Sequence, residues 1–434
     1  MDLTRYQWQV LFAAWLGWGF DVFDGLLFNF VAPNCLPVLL GLAAGSAMAK
    51  HATLQWTGIL TSLLLLGWAA GGIVFGRVAD RIGRARTLML TMAMYAVGTA
   101  ACAAAGNIWE LVLFRLVASL GIGGEWAAGA AMVAEVVPEK RRLEAGALLY
   151  TSAPLGLFLA SWVTWQISGV ALKNHPEVSW RYVFLAGLVP AAVAMFVRRA
   201  VREPERWQKS ATAAAGRVRD LFAPEYRART ISGFTMAVTA LIMWWSCNAF
   251  IPVVAAGLAA RHAALLHLGK GAAQALIESW KAIATNCFNL GGLLGTLLTV
   301  PIARTLGRKW MFMIYFAASA VSLIAAFAFN VPPQARLYLY FPIGLSIFGV
   351  FGSFTYYLPE LFPTRLRGIG AGFCYNVGRV FAAIGPFVVG AVAAQGVNAL
   401  DSALHVLAWV AVVPLLGILA MPLVVETRGR VLED

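Results

Sequence analysis

Five ionisable side chains stand inside otherwise apolar stretches of the sequence: Asp21, Asp24, Arg115, Glu125 and Arg379. If these stretches cross a bilayer, each charge costs about 2.5–3.5 kcal/mol at mid-membrane, so each needs a cavity or a partner. The carboxylates can take up and release a proton, whereas an arginine remains charged. The five residues therefore divide into candidates for proton transfer and candidates for holding an anion.

Arg379 is the one charge in the segment "CYNVGRVFAAIGP", residues 374–386. Asn376 and Tyr375 precede it by three and four residues, which places all three on one face of a helix. A planar guanidinium donates hydrogen bonds to both oxygens of a carboxylate, and an amide and a phenol beside it can add further hydrogen bonds. We therefore expect these residues to bind an anionic substrate. The alternative is a structural arginine bonded to helix-end carbonyls or to Glu125.

Further polar and aromatic residues at similar depth could line the same site. Asn289 and Tyr356 are the strongest of these expectations, because of their polarity and depth. The others are Tyr150, Gln166, Trp244, Trp245, Asn248, Asn286 and Tyr357.

Proton coupling must fall to a carboxylate, since the five histidines lie in or near segments expected on the outer side. Asp21 is about 20 Å into its apolar stretch by helical rise. Asp24, one turn later, could carry the proton instead or only hydrate the entrance. Glu125 follows two glycines, so it is either a second proton site or a hydrogen-bonding residue in helix packing.

The composition indicates a membrane protein made of helices. Hydrophobic residues make up 60% of the 434 positions and charged residues 12%, too few charges to cover soluble domains. A span needs about 20 apolar residues. Twelve such stretches occur, at about 8–40, 54–75, 87–106, 108–136, 143–171, 180–198, 230–258, 279–302, 310–329, 335–361, 367–396 and 400–424. The five cysteines are scattered without a CxxC pair, so we expect neither a disulfide framework, nor a metal site, nor another cofactor.

The positive charges are distributed unevenly between the two sides of the membrane. If both termini are cytoplasmic, most of the 33 lysines and arginines fall in cytoplasmic segments. This asymmetry explains the net charge of +13 by contact with anionic lipid and without a nucleic-acid partner. We expect a plasma membrane protein, in a bacterial inner membrane, with both termini inside.

The chain contains an internal repeat. The segments "AEVVPEKRRLEAG" (134–146) and "PELFPTRLRGIGAG" (359–372) superimpose Glu135 on Glu360 at an offset of 225 residues. Gly83-Arg84 matches Gly307-Arg308 at an offset of 224. These marks predict two parallel six-helix halves, 1–200 and 230–434, joined by a cytoplasmic loop at 201–229. Arg379 falls on Pro154 in the first half, so it is not part of the repeated scaffold, which favours a substrate role.

Two of these segments carry a family resemblance. The loop "GRVADRIGRAR" (76–86) resembles the G-x-x-x-D-x-x-G-R signature of the major facilitator superfamily, and "RLVASLGIGGEWAAGAAMVAEVVPEKRR" resembles its fourth span. "GGEW" together with "YNVGR" resembles the group of sialate and carboxylate–proton symporters. The resemblance implies twelve transmembrane helices in two pseudo-symmetric six-helix bundles, transport by alternating access, and a monomer. The second-half loop departs from the pattern, with Arg304 in the place of Asp80.

The resemblance also implies roles for particular charges. "GWGFDVFDG" (17–25) resembles the first span of sugar–proton symporters, in which the matching aspartate and arginine form a proton-switched pair; these are Asp21 and Arg115 here. A neighbouring arginine favours the ionised carboxylate, and burial without it favours the protonated one. The loop signatures imply two networks at the cytoplasmic ends that act in gating, the alternative being charges that only set topology. Their members are Asp80, Arg84, Glu135 and Arg142, and in the second half Glu360 and Arg367.

The residues together predict a proton-coupled symporter of a small organic anion, such as a monocarboxylate or a sugar acid. The alternative is a proton-coupled or facilitative carrier of a neutral sugar, polyol or zwitterion, with Arg379 structural. A sensor built on the same fold is a third interpretation. No catalytic residues are expected, because no metal ligands, nucleophile elbow or phosphate loop occurs in a consistent context.

Overall fold

The computed structural model describes residues 3–138, 141–198 and 217–429, which are helices and their connections without a β-strand. Within these ranges the side chains at 79–81, 84–85, 124–132, 134–135, 142–143, 194, 197–198 and 364 are not described.

The first six-helix bundle contains α1 to α6. Its unbroken helices are α1 (Arg5–Leu39), α2 (Ala47–Ile82), α3 (Arg84–Cys102) and α4 (Ile108–Val136). Helix α5 consists of Arg142–Tyr150, Ser152–Thr164 and a π-helical end, Trp165–Ala171, and α6 of Pro176–Ala186 and Leu188–Arg198.

The second bundle contains α7 to α12. Helix α7 consists of Arg227–Asn248 and Ile251–Leu265, followed by α8 (Lys270–Leu306) and α9 (Arg308–Phe327). Helix α10 is built from Pro333–Ile343, the π-helical Gly344–Phe348, the 3₁₀-helical Gly349–Ser353, and Phe354–Glu360. Helix α11 comprises Thr364–Ala382 and Ile384–Ala393, and α12 comprises Ala399–Trp409 and Val412–Leu419.

The twelve helices confirm the predicted all-α membrane fold of two six-helix bundles. Nine helical segments of the described chain are long and apolar enough to cross a membrane. Large apolar side chains such as Val321 and Leu419 are exposed on these segments, and Val97 of α3 and Phe196 of α6 are exposed as well. Contiguous exposed apolar surface is rare on soluble monomers and is what lipid contact requires.

The exact division of the chain at 200 and 229 stays a prediction. Helix α7 begins at Arg227 and therefore includes the last three residues of the predicted loop. The segment 199–216, which forms most of that loop, lies outside the described residues.

The helical body has two ends, which carry different parts of the chain. We call one the terminal end, because it carries the start of α1 at Arg5 and the segment after α12, which returns to the body at Val425 and Glu426. The far end is opposite and carries the connections 40–46 and 266–269.

Close packing against α4 fixes the position of α2, the helix that carries Trp68 toward the second bundle. A Cβ added at Gly123 would collide with the main-chain carbonyl of Trp68, so only glycine allows this approach. The contact anchors the α2 backbone at Trp68, whose side chain points toward the second bundle and packs on Trp245 with ring centroids 5.9 Å apart.

The helical pitch of α10 changes twice before its last segment, Phe354–Glu360. Gly344 and Gly349 lie against the backbone of α8, and Pro342 within α10 leaves one ladder hydrogen bond unmade. The π-helical and 3₁₀-helical turns rotate the following residues relative to a regular helix. As a result, Phe348 and Phe351 face the centre of the molecule, where both pack on Tyr150 of α5.

Candidate functional site

Arg379 lies between the two bundles and is 2% exposed. Its Nη1 donates to Asn376 Oδ1 at 3.0 Å. The guanidinium sits over two aromatic faces, 4.4 Å from the ring centroid of Trp68 on α2 and 4.7 Å from that of Tyr375. Within the described part of the chain, no carboxylate is within ion-pair distance of it. The described groups that surround the cation are therefore neutral and come from both halves.

Aromatic side chains from both bundles surround this arginine. Trp245 packs on Trp68, and Trp244 packs edge-on against Trp245 with centroids 4.7 Å apart. Phe351 stacks on Tyr150 and packs edge-on against Tyr375. We call the whole group the aromatic cluster; its members are Trp18, Trp68, Tyr150, Trp244, Trp245, Phe288, Phe348, Phe351, Phe354 and Tyr375.

Several buried polar atoms near the cluster have no hydrogen-bond partner among the described residues. They include the indole nitrogens of Trp68 and Trp244 and both amide atoms of Asn289. Buried polar groups are nearly always hydrogen-bonded, so such atoms point to a ligand or to water. Trp68 also faces Arg379, so its indole N–H lies close to the guanidinium.

The structure brings together three of the five residues predicted to bind substrate: Arg379, Asn376 and Tyr375. Asn289 is fully buried on α8, next to Phe288 of the aromatic cluster. Tyr356 lies elsewhere, because its hydroxyl donates to the Thr299 carbonyl at 3.4 Å toward the terminal end. Tyr356 was expected at the site from its polarity and depth, but it follows the 3₁₀-helical part of α10 and lies nearer the terminal end.

Sequence reasoning missed the contribution of α2. Trp68 is a lone tryptophan in the stretch "LLLLGWAAGG", where an indole interrupts an aliphatic helix directly before small residues. That interruption is a signal for a residue that faces something other than lipid. Phe348 and Phe351 carry no comparable signal, since phenylalanine is common throughout the chain.

A second buried charge cluster lies within the first bundle. Arg115 Nη2 donates to the Gly25 carbonyl at 2.6 Å and Nη1 reaches the Asp24 carbonyl at 3.5 Å. The Asp24 carboxylate accepts a hydrogen bond from Thr99 of α3 at 2.6 Å. The guanidinium also lies 5.5 Å from the ring centroid of Phe28.

The expected pairing of Arg115 with Asp21 is not what the structure shows. Arg115 contacts the backbone at Asp24 and Gly25, one turn further along α1. The reason is depth: α4 enters from the far end, and seven residues from its start bring Arg115 only to the level of Asp24. Asp21 is fully buried one turn closer to the terminal end.

Of the charged residues predicted for the two gating networks, the structure describes the side chains of the second-half members, Glu360 and Arg367. Glu360 forms a two-pronged pair with Arg308, at 2.6 and 3.0 Å, and accepts from Thr427 at 2.6 Å. Arg367 donates to the Pro359 carbonyl at 3.2 Å, next to this pair. Arg308 lies within reach of Glu360 because α9 begins directly after α8. Gly307, at φ +92°, is the single residue between the two helices. The side chains of Asp80, Arg84, Glu125, Glu135 and Arg142 lie outside the described residues.

Glu426 ties the segment after α12 to this network. It accepts hydrogen bonds from the backbone N–H groups of Arg308 and Lys309, both at 3.0 Å. Partial burial raises the pKa of Glu426, but these N–H donors outweigh that effect and leave the pKa below its usual value. The carboxylate thus stabilises the N-terminus of α9 in its ionised form.

Comparison with known proteins identifies the architecture. The family model described as Major Facilitator Superfamily matches residues 14–386. The chain belongs to this superfamily. It is a membrane transporter and not an enzyme.

Two relatives and one solved structure show the extent of the similarity. A sialic acid transporter of Escherichia coli (strain K12) is 25% identical over 86% of this chain and 84% of its own length. A gentisate transporter of Corynebacterium glutamicum is 25% identical over 89% of this chain and 83% of its own length. The crystal structure of a D-xylose–proton symporter covers 99% of this chain and 100% of its own, with a TM-score of 0.76 and 17% identity, and so shares its fold.

In this major facilitator transporter the two arginines occupy different positions in the fold. Arg115 is enclosed by helices of one bundle, whereas Arg379 lies where the two bundles meet. No group of three or more metal-ligating side chains occurs within residues 3–138, 141–198 and 217–429.

Proposed function

We propose that this transporter carries a small organic anion together with a proton by alternating access. Arg379 binds the carboxylate of the cargo, and the centre formed by Asp24, Arg115 and Asp21 carries the proton. The observation that supports this is a buried guanidinium between the bundles whose described neighbours are all neutral. A charge buried without a counter-charge is strongly destabilising, and an anionic cargo removes that penalty.

Residues of both bundles surround the proposed anion. Arg379 and Asn376 belong to α11 and Trp68 to α2, so the anion would contact both halves at once. Differential contacts of this kind can shift the equilibrium between states that face opposite sides. The loaded carrier then reorients with its buried cation neutralised.

The aromatic cluster favours a flat cargo over a strongly hydrated one. Indole and phenyl faces at centroid separations of 4.7–6.5 Å provide stacking surfaces, and the N–H groups of Trp68 and Trp244, which have no described partner, can donate to hydroxyl or carboxylate oxygens. The relatives named for gentisate and for sialic acid both carry the names of small organic acids. Of these two, the hydroxylated aromatic acid matches the walls better.

The proton site is proposed at Asp24, with Asp21 as the neighbour that could replace it. Asp24 is the acid whose backbone Arg115 grips, so movement of Arg115 changes its electrostatic environment directly. Withdrawal of Arg115 favours protonation, and its return favours release of the proton. Thr99 keeps the carboxylate oriented in the present state.

The orientation and setting follow from the distribution of lysine and arginine. We propose a monomer in a bacterial plasma membrane with both termini in the cytoplasm, so that the terminal end faces inward. Protons would then enter at the far end and leave at the terminal end, in the direction of the usual gradient.

Uptake by reconstituted liposomes tests this function. Radiolabelled gentisate, benzoate, lactate, sialate, glucose and betaine are offered with and without a pH gradient, acid outside. We expect gradient-driven accumulation of the aromatic acids, abolished by a protonophore, and none of glucose or betaine. Accumulation of a neutral solute in place of every acid would contradict the proposal.

A further inference from the structure

A third buried charge cluster lies near the far end and takes no part in the proposed binding of anion and proton. Glu278 and Lys281 of α8 form an ion pair at 2.7 Å, and each side chain is 1% exposed. Gln274 adds a second donor to Glu278 Oε1 at 2.9 Å. Two charges that are removed from water this completely need several specific bonds to be stable.

Two of those bonds come from the opposite bundle. Asn34 of α1 donates to Glu278 Oε1 at 2.9 Å, and Lys281 donates to the Phe30 carbonyl of α1 at 2.8 Å. Helix α5 closes a further side, since a Cβ on Gly169 would lie 2.8 Å from the Glu278 Cβ. The pair is therefore enclosed by α8 from the second bundle and by α1 and α5 from the first.

The position of the pair along α8 relates it to the central site. A buried polar stripe follows one face of α8 at helical spacing, through Glu278, Lys281, Thr285, Asn289 and Thr296. At Thr285, Asn289 and Thr296 the stripe has polar atoms without a described partner. At Glu278 and Lys281 it is bonded across to α1. The stripe thus extends from the level of the aromatic cluster toward the far end, where its hydrogen bonds to α1 join the two bundles.

We propose that Glu278 and Lys281, with Asn34 and the Phe30 carbonyl, form a latch that holds the far end shut. When the site opens to that side, α1 moves off α8, the two cross-bundle bonds break, and water reaches the pair. The Glu278–Lys281 bond lies within α8 and persists during this movement. The latch belongs to the alternating movement of the transporter and does not depend on which solute Arg379 binds.

Substitutions in the latch should shift the equilibrium between the closed and open states of the far end in one direction. Neutralising one partner leaves the other charge buried and uncompensated in the closed state, whereas water can hydrate it in the open state. Single substitutions should therefore favour the state that is open at the far end. Removing both charges restores a neutral, closable contact.

Spin labels at Ala47 on α2 and Lys270 on α8 measure the opening. Both positions are exposed near the far end, on opposite bundles. Four of the five native cysteines are buried, and Cys287→Ser removes the partly exposed one. Pulsed electron–electron resonance then gives the populations of short and long distances between the two labels.

We expect Glu278→Gln and Lys281→Met each to raise the long-distance population at least tenfold relative to the short one. The double variant should return toward the parent. Asn34→Leu, which removes a cross-bundle donor and keeps both charges, should shift the population in the same direction by less. Arg261→Gln and Asp401→Asn serve as controls, because that ion pair joins two helices of one bundle at the same end. The controls should leave the distances unchanged.

Unchanged distances in the three latch variants would overturn the proposal. So would a double variant that opens as far as either single one, since that result would indicate loss of packing and not an unpaired charge. If Glu278→Gln or Lys281→Met does not fold, the Asn34→Leu variant alone tests the proposal, because it keeps both charges.

Discussion

Arg115 and Arg379 are both 2% exposed, yet their surroundings differ. Arg115 is bonded to two main-chain carbonyls of α1, with the Asp24 carboxyl nearby. Arg379 has one amide oxygen and two aromatic faces. All helices around Arg115 belong to the first bundle, whereas Trp68 and Tyr375 approach Arg379 from different bundles.

Under the proposed function, this difference separates a charge that the protein itself completes from a charge that a solute completes. The described hydrogen-bond partners of Arg115 are main-chain carbonyls of its own bundle, so in this state the protein itself satisfies the guanidinium. The neutral groups at Arg379 stabilise a cation without cancelling its charge. An exchangeable anion is suited to the second arrangement and is not needed in the first.

The largest expected effect is on the affinity for ligand, which should depend on Arg379 and not on Arg115. Arg379→Ala should weaken binding of an aromatic acid by at least thirtyfold, in line with roughly 2–5 kcal/mol for truncating one partner of a buried charge pair. Arg379→Lys should also bind weakly, because an ammonium lacks the planar fork. Isothermal titration with gentisate measures both.

Arg115→Lys is the matched comparison. We expect it to lower the melting temperature, since the Gly25 carbonyl loses its donor, while the affinity of the folded protein for the acid stays within a few-fold of the parent. If Arg115→Lys lost binding and Arg379→Lys kept it, the assignment of the two arginines would have to be exchanged.

The next effect concerns the proton. Asp24→Asn should abolish accumulation of the acid against its gradient while leaving exchange of labelled for unlabelled cargo, because the site still binds but no longer releases a proton. Counterflow and gradient-driven uptake in the same liposomes measure the two activities.

Asp21→Asn makes the same chemical change one turn away. We expect it to retain measurable accumulation, since Arg115 contacts α1 at Asp24. Loss of accumulation in Asp21→Asn together with normal accumulation in Asp24→Asn would place the proton on Asp21 instead.

The sequence predicted what depends on local geometry. Arg379, Asn376 and Tyr375 are three and four residues apart, so a regular helix brings them together whatever surrounds it. The twelve helices follow equally from long apolar stretches, each of which must satisfy its own backbone in lipid.

Relations between distant segments were predicted less well. The pairing of Arg115 depends on the relative depth of α1 and α4, and an error of one turn moves it from Asp21 to Asp24. Tyr356 was misplaced because two changes of pitch in α10 leave no simple periodic signal. Trp68 was missed since its role arises only when α2 of one bundle meets α11 of the other.

The smallest expected effect tests the aromatic face over each arginine. Trp68→Phe keeps a ring near Arg379 but removes the free indole N–H, so the affinity for a hydroxylated aromatic acid should fall about three- to tenfold, as expected for one hydrogen bond of ~0.5–1.5 kcal/mol. Phe28→Leu removes the ring beside Arg115 and should leave that affinity unchanged. Titration of both variants with gentisate and with benzoate measures the contribution of the N–H. An equal loss in the two variants would mean that the rings act through general packing, and the contrast between the arginines would then rest on their polar partners alone.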